Sequence, residues 1–206
     1  MKARIFAPPG DASMISMNPP SSRLVLAETR AWVERVVIGL NLCPFAKAPQ
    51  VKSQVRYVLS EARGPEALLA ALVDELQLLA ETPAEQIETT LLIHPHALAD
   101  FADYNDFLGL AENAVAELDL EGVIQVASFH PQYQFAGSTP DDLGNATNRS
   151  PYPTLHLLRE DSVERAVAAF PEAAAIFEAN IKTMERLGES GWARLQQQCR
   201  DDAADA

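Results

Sequence analysis

The chain carries little that would tie it to nucleic acid or to a membrane. Sixteen Lys and Arg stand against 29 Asp and Glu in 206 residues, a formal net charge of -13. The basic residues are scattered singly, so there is no basic face for nucleic acid and no basic cluster for anionic lipid. No apolar run approaches the roughly eighteen residues that a membrane span needs. Cysteine is scarce too: Cys43 and Cys199 stand far apart. That excludes a disulfide framework and the paired spacing of a closed zinc site, and a reducing cytoplasm is the expected compartment. There is no glycine-rich phosphate loop, no Gly-x-Ser-x-Gly elbow and no EF-hand spacing. Residues 1–20 hold five of the structure breakers, Pro8, Pro9, Gly10, Pro19 and Pro20, and no apolar core of signal-peptide length. They read as a disordered leader, with Met1, Met14 and Met17 as alternative starts.

What is present suits one folded domain. Hydrophobic residues make up 48% of the chain, enough for a sizeable core, and 206 residues fit one domain with tails. Ser21 or Ser22 caps a helix over 21–40, which ends before Pro44. A β-branched run reads as a strand over 55–60. Gly64-Pro65 opens a helix to about 79, and 89–93 is a strand. A helix over 97–118 shows apolar residues at helical spacing. Strands follow over 123–129 and 154–158, then a helix from 161 or 162 to 170 and another from 171 to 187, where Gly188 stops it. The domain is expected over 21–195, with a polar, frayed tail over 196–206. Helical crossovers between the first three strands favour parallel pairing. The expected fold is α/β or α+β: a four-stranded mixed sheet, mostly parallel, with helices packed on it.

The segment 131–153 is a connection of more than twenty residues, far beyond the usual 2–6. Its aromatics and prolines argue for order, and its length argues for function. Two strands end alike, in His94-Pro95 and His130-Pro131. Parallel strands would bring both histidines to one carboxyl edge, where α/β proteins hold ligands. They are expected on adjacent strands, within about 8 Å, and either ligate a divalent metal or act as a base. The alternative is that each merely ties a backbone carbonyl. His96, beyond Pro95, suits solvent, and His156, by alternation, lies on the face opposite Leu155 and Leu157.

Other residues complete the candidate set. Cys43 follows a helix end and is held by Pro44; it is either a nucleophile or a small buried residue. Arg149, in Asn148-Arg-Ser-Pro-Tyr-Pro, either binds a carboxylate or phosphate or staples the loop to Asp141 or Asp142. Asn148, Tyr133 and Tyr152 are the neighbouring candidates for substrate contact. Asp106, with Asp103 and Asn105, is either a catalytic carboxylate or a helix-dipole partner.

Three segments carry a resemblance: Gly39-Leu-Asn-Leu-Cys-Pro-Phe-Ala, the His94-Pro95 run leading to Phe101 and Tyr104-Asn-Asp-Phe, and Phe129-His-Pro-Gln-Tyr-Gln-Phe with Asn148-Arg-Ser-Pro-Tyr-Pro. In them the chain resembles a bacterial family, domain of unknown function 1415, over roughly 25–190. The resemblance implies a stand-alone, single-domain protein and brings no reaction with it. The residues suggest a cytoplasmic enzyme acting on a small anionic molecule. Its site would be His94 and His130 as metal ligands, Cys43, His130 and Asp106 in the chemistry, and Arg149, Asn148, Tyr133 and Tyr152 on the substrate. The alternative is a non-catalytic module that binds a small ligand or cofactor.

Overall fold

A computed structural model describes residues 20–169 and 175–206. All but the last residue of the leader expected over 1–20, and the junction of the last two helices at 170–174, lie outside the described residues. Helix α1 (Ser22–Trp32) starts where Ser21 accepts the Leu24 N–H in its side-chain oxygen. It passes directly into a π-helical stretch, Val33–Ile38. That wide turn brings the backbone of Gly39 so close to the Arg35 carbonyl that a Cβ there would lie 2.2 Å from the oxygen. Only glycine fits. Asn41, at φ 54, then turns the chain out of the helix.

A short helix, α2 (Lys47–Val51), follows. It was not among the expected elements; Pro49 is tolerated in it because in so short a helix the early N–H groups lack partners anyway. Then come β1 (Val55–Leu59), α3 (Pro65–Glu81), β2 (Thr89–Ile93) and α4 (Phe101–Glu117). Helix α4 begins later than expected, because Leu98 takes a left-handed φ of 54 and Asp100 caps the N–H groups of Ala102 and Asp103. Next are β3 (Ile124–Phe129), a 3-10 helix (Leu143–Asn148) inside the long loop, β4 (Thr154–Arg159), α5 (Glu160–Ala169) and α6 (Ile176–Asp205).

The sheet is four-stranded and mixed, in the order β1-β2-β4-β3. Only β1 and β2 pair in parallel; β4 runs antiparallel to both β2 and β3. The expectation of a mostly parallel sheet is corrected in this respect. The first three strands do point the same way, but the long loop lets β4 return between two of them.

Alternation along each strand separates two faces. Leu92, Ile124, Leu155 and Leu157 join Leu68, Leu72, Leu76 and Leu79 of α3 and Tyr104, Phe107 and Ala111 of α4 in one buried cluster. On the other face Leu91 packs with Trp32, Val33, Val36 and Met184, from α1, the π-helical turn and α6. Helix α6 bends at Gly188 (φ 66) but continues to Asp205. The segment expected to be a frayed tail is therefore helical. Trp192, Cys199 and Ala203 recur at helical spacing and are buried, and Arg35 pairs with Asp202. Among the described residues no helix is long and apolar enough to cross a membrane.

Candidate functional site

The two His-Pro turns sit at the same edge of the sheet, as their strands require, but not on adjacent strands. β4 lies between β2 and β3, and His94 and His130 meet around a shared neighbour instead. Tyr104 stacks on the His94 ring at 5.8 Å and lies 5.0 Å from the His130 ring, centroid to centroid. Phe101 and Tyr133 extend the cluster. The Tyr104 hydroxyl ties the sheet edge together: it donates to the Thr154 carbonyl at 2.9 Å and accepts the Phe129 N–H at 3.1 Å.

Their hydrogen bonds assign both tautomers. A carbonyl only accepts, so His94 Nδ1 donates to Ala97 O, at 3.0 Å. Its Nε2 keeps a lone pair, buried with no partner. His130 is the reverse. Its Nδ1 accepts the Gln132 N–H at 3.0 Å, so Nε2 donates to Leu98 O at 3.2 Å. Both residues are fully buried, and burial pushes the His94 imidazole down to about 4 and His130 below its ordinary value. The pair clamps the backbone of 97–98 and is neutral at pH 7.

A divalent metal does not fit this arrangement. His130 has no free lone pair, and the one that His94 offers is buried. Cys43 belongs to the other face of the sheet, and Asp106 is exposed on the solvent side of α4. Among the described residues no group of three or more His, Cys, Asp and Glu side chains is gathered to hold a metal ion.

The long loop is built from its own polar residues. Asn145, absent from the expected set, is the fully buried post of the loop. Its carbonyl oxygen accepts from Phe135 N–H and Ser138 Oγ, and its amide donates to Thr139 O. Asn148 donates to Ser128 O. Tyr133 and Phe135 pack edge to face at 5.0 Å. Arg149 donates to the carbonyls of Tyr133, at 3.2 Å, and Pro140, at 2.7 Å. Its partners are thus carbonyls rather than the expected carboxylates, although the Asp141 charge helps to hold its proton against desolvation. Arg149 also lines a small cavity of about 270 Å³, with Glu28, Tyr152 and Arg200. The Tyr152 hydroxyl there donates to Glu28 Oε2 at 2.5 Å, and burial with that carboxylate raises its pKa.

A larger concavity lies elsewhere. A cleft of about 780 Å³ opens on the sheet face opposite the leucine-rich core. Its floor is Leu91, Ala127, Phe129 and His156; α1 and the Cys43 turn make one wall and α5 another. Trp32 meets Phe129 edge to face at 5.3 Å, and Phe129 lies 6.0 Å from the His156 ring. His156 does lie opposite Leu155 and Leu157, as alternation predicted. Its Nε2 is 2.7 Å from Thr89 Oγ1, and Thr89 Oγ1 is 2.6 Å from Leu157 O. Thr89 has one proton, and the carbonyl can only accept it. The hydroxyl therefore donates to Leu157 and accepts from His156 Nε2–H. Burial pushes this imidazole down to about 4. It is neutral, with a bare lone pair on Nδ1.

Cys43 is half-buried on the cleft wall. The N–H groups of Phe45 and Ala46 point to its sulfur, but desolvation outweighs them and raises the thiol pKa. Trp32, Phe129 and the open face of β3 were not among the expected site residues. Their signal was available: Gln125, Ala127 and Phe129 share a strand phase opposite to Ile124 and Val126.

No curated protein and no solved structure matches the chain. The family model described as protein of unknown function (DUF1415) matches residues 24–194, from α1 into α6 and through every strand of the sheet. The chain belongs to that family.

Proposed function

We propose that this protein binds a small, mostly apolar organic molecule in the cleft between the sheet, the Cys43 turn and α5. The observation that carries this reading is the cleft itself. Its volume, about 780 Å³, falls in the range of ligand sites, which are largely apolar with a few placed polar groups. Leu91, Ala127, Phe129 and Trp32 supply the apolar surface, His156 supplies a polar group on the floor, and Lys52, Glu88 and Arg165 are among the charged residues of the lining. The state of Cys43 favours binding over thiol catalysis. A nucleophile needs a depressed pKa, whereas this thiol is raised by burial and is protonated near neutral pH. Cys43 then serves as a wall, and a reducing cytoplasm keeps it free.

The test fills the cleft. Nile red, a neutral dye that brightens in apolar surroundings, should bind wild-type protein saturably, and Ala127→Trp should abolish the signal while the fold survives by circular dichroism. Equal binding to Ala127→Trp overturns the reading.

A second reading keeps an anion in view. Arg149 has no direct carboxylate partner among the described residues and lines the 270 Å³ cavity beside Arg200. That cavity suits a small carboxylate or phosphate recognised by the guanidinium. Inorganic phosphate should then raise the melting temperature of wild type and not of Arg149→Gln. No shift in wild type removes this second site.

A further inference from the structure

The ligand class follows from one atom on the cleft floor, and the argument rests on the proposed use of that cleft. His156 lies at the middle of β4, in register with Leu91 of β2 and Ala127 of β3. Both neighbours are apolar and line the same cleft. Thr89, one step along the face, fixes the imidazole as the Nε2–H tautomer by accepting that proton. The other ring nitrogen, Nδ1, is then an obligatory acceptor. Among the described residues no donor reaches it, and it is not sealed off among buried atoms as His94 Nε2 is. A ligand that fills an apolar cleft takes this acceptor out of water, and leaving its lone pair unused then costs free energy. A ligand that donates a hydrogen bond there recovers that cost, and one that carries only acceptors does not.

The walls describe the rest of the ligand. Trp32 and Phe129 meet edge to face, and the Phe129 ring is tilted 46° to the His156 ring. Phe45 adds a fourth ring to the lining. Aromatic surfaces of this kind favour flat partners through offset and edge contacts. We infer that the cleft takes a neutral aromatic molecule bearing a hydroxyl, which donates to His156 Nδ1 while its ring packs against Phe129 and Trp32.

The inference departs from the anionic substrate that the sequence suggested. A phenolate or carboxylate would aim lone pairs at the Nδ1 lone pair. In the empty cleft burial lowers the imidazole pKa to about 4, so near neutral pH it meets an arriving anion as a neutral acceptor.

Three probes of nearly one shape separate the possibilities: naphthol, methoxynaphthalene and naphthoate, each measured by equilibrium dialysis at pH 7. Naphthol should bind at least about tenfold tighter than methoxynaphthalene, the size of effect expected when a buried polar group is satisfied or left unpaired. Naphthoate should bind more weakly than naphthol. In His156→Phe the preference for naphthol should vanish, while methoxynaphthalene still binds; that retained binding reports an intact cleft. Nitrogen NMR of the wild-type histidines gives a readout that needs no variant. The unprotonated Nδ1 resonance of His156 should shift with naphthol and stay unmoved by methoxynaphthalene. Equal affinities for the two naphthalenes, an unshifted resonance, or tighter binding of naphthoate each overturns the ligand class. Nile red binding blocked by Ala127→Trp would meanwhile leave the cleft reading standing, so the two failures are distinct.

Discussion

The two faces of one sheet teach different lessons. On the α3/α4 face, Leu92, Leu155 and Leu157 are sealed completely beneath leucines of α3 and Tyr104 of α4. On the other face, Leu91 is buried, but Ala127, His156 and Leu158 keep open surface. The strands are the same; only the phase differs. The sealed face is built from large aliphatic side chains that fill space at core density. The open face alternates small and polar side chains, Ala127, Gln125, Thr89 and His156, which cannot fill the gap under α5. One face therefore holds the fold together and the other leaves room for a molecule.

The largest expected effect breaks this comparison at its strongest point. Leu155→Ala should lose about 2–5 kcal/mol of unfolding free energy in urea, the usual cost of a cavity in a closed core. Leu158→Ala, at an apolar position of that strand on the cleft face, should lose less than half as much. Equal losses would mean that the second face is as closely packed as the first.

Acid acts on both faces through histidines that the fold desolvates. His94 and His156 each have a folded pKa near 4, against about 6.5 unfolded. Below 6.5 the unfolded chain takes up protons that the folded chain refuses, so stability is full above 6.5 and falls as pH drops from 6.5 towards 4. Replacing either residue by Phe should flatten that fall, and replacing both should flatten it more. Urea midpoints at pH 7, 6, 5 and 4.5 would measure it. An unchanged slope in both variants would show that carboxylates, not these imidazoles, govern acid sensitivity.

A smaller effect is expected at the sheet edge. Tyr104→Phe removes the hydroxyl between Thr154 O and Phe129 N–H, leaving buried backbone groups unmet. It should cost about 1–3 kcal/mol. The aromatic cluster with His94 and His130 should survive, and near-ultraviolet circular dichroism would report it. The smallest effect is at the cleft wall. Cys43→Ala should change stability by about 1 kcal/mol or less, and iodoacetamide should label Cys43 more slowly than a free thiol at pH 8. Fast labelling would reinstate the thiol as a nucleophile.

Much of the fold was legible because local patterns repeat. The Ser21 cap, the Gly64-Pro65 helix start and the four strands are all short-range signals, and each stands close to where it was expected. The tail after residue 196 was misjudged because its apolar residues are sparse; Trp192, Cys199 and Ala203 make a stripe only when seven- and four-residue steps are counted together. The site was less legible. His94 and His130 do reach one edge and one aromatic cluster, yet three of their four ring nitrogens are taken by turn carbonyls and an N–H and the fourth, His94 Nε2, is buried without a partner, which no spacing reveals. Arg149 is where the loop suggested, but carbonyls claim it.

Sequence by itself determined the four strands and the larger helices up to Gly188, the parity of the strands and the family, because caps, alternation and motif residues act over a few positions. It also determined that His156 opposes Leu155 and Leu157. Tertiary structure alone decided that β4 inserts between β2 and β3, since strand order depends on how a long loop closes and not on any residue within the strands. It alone decided which histidine lone pairs remain free, because a tautomer is set by whatever the fold brings within hydrogen-bond reach. The single proton of Thr89, spent on the Leu157 carbonyl across the sheet, is what leaves His156 as an acceptor on the cleft floor.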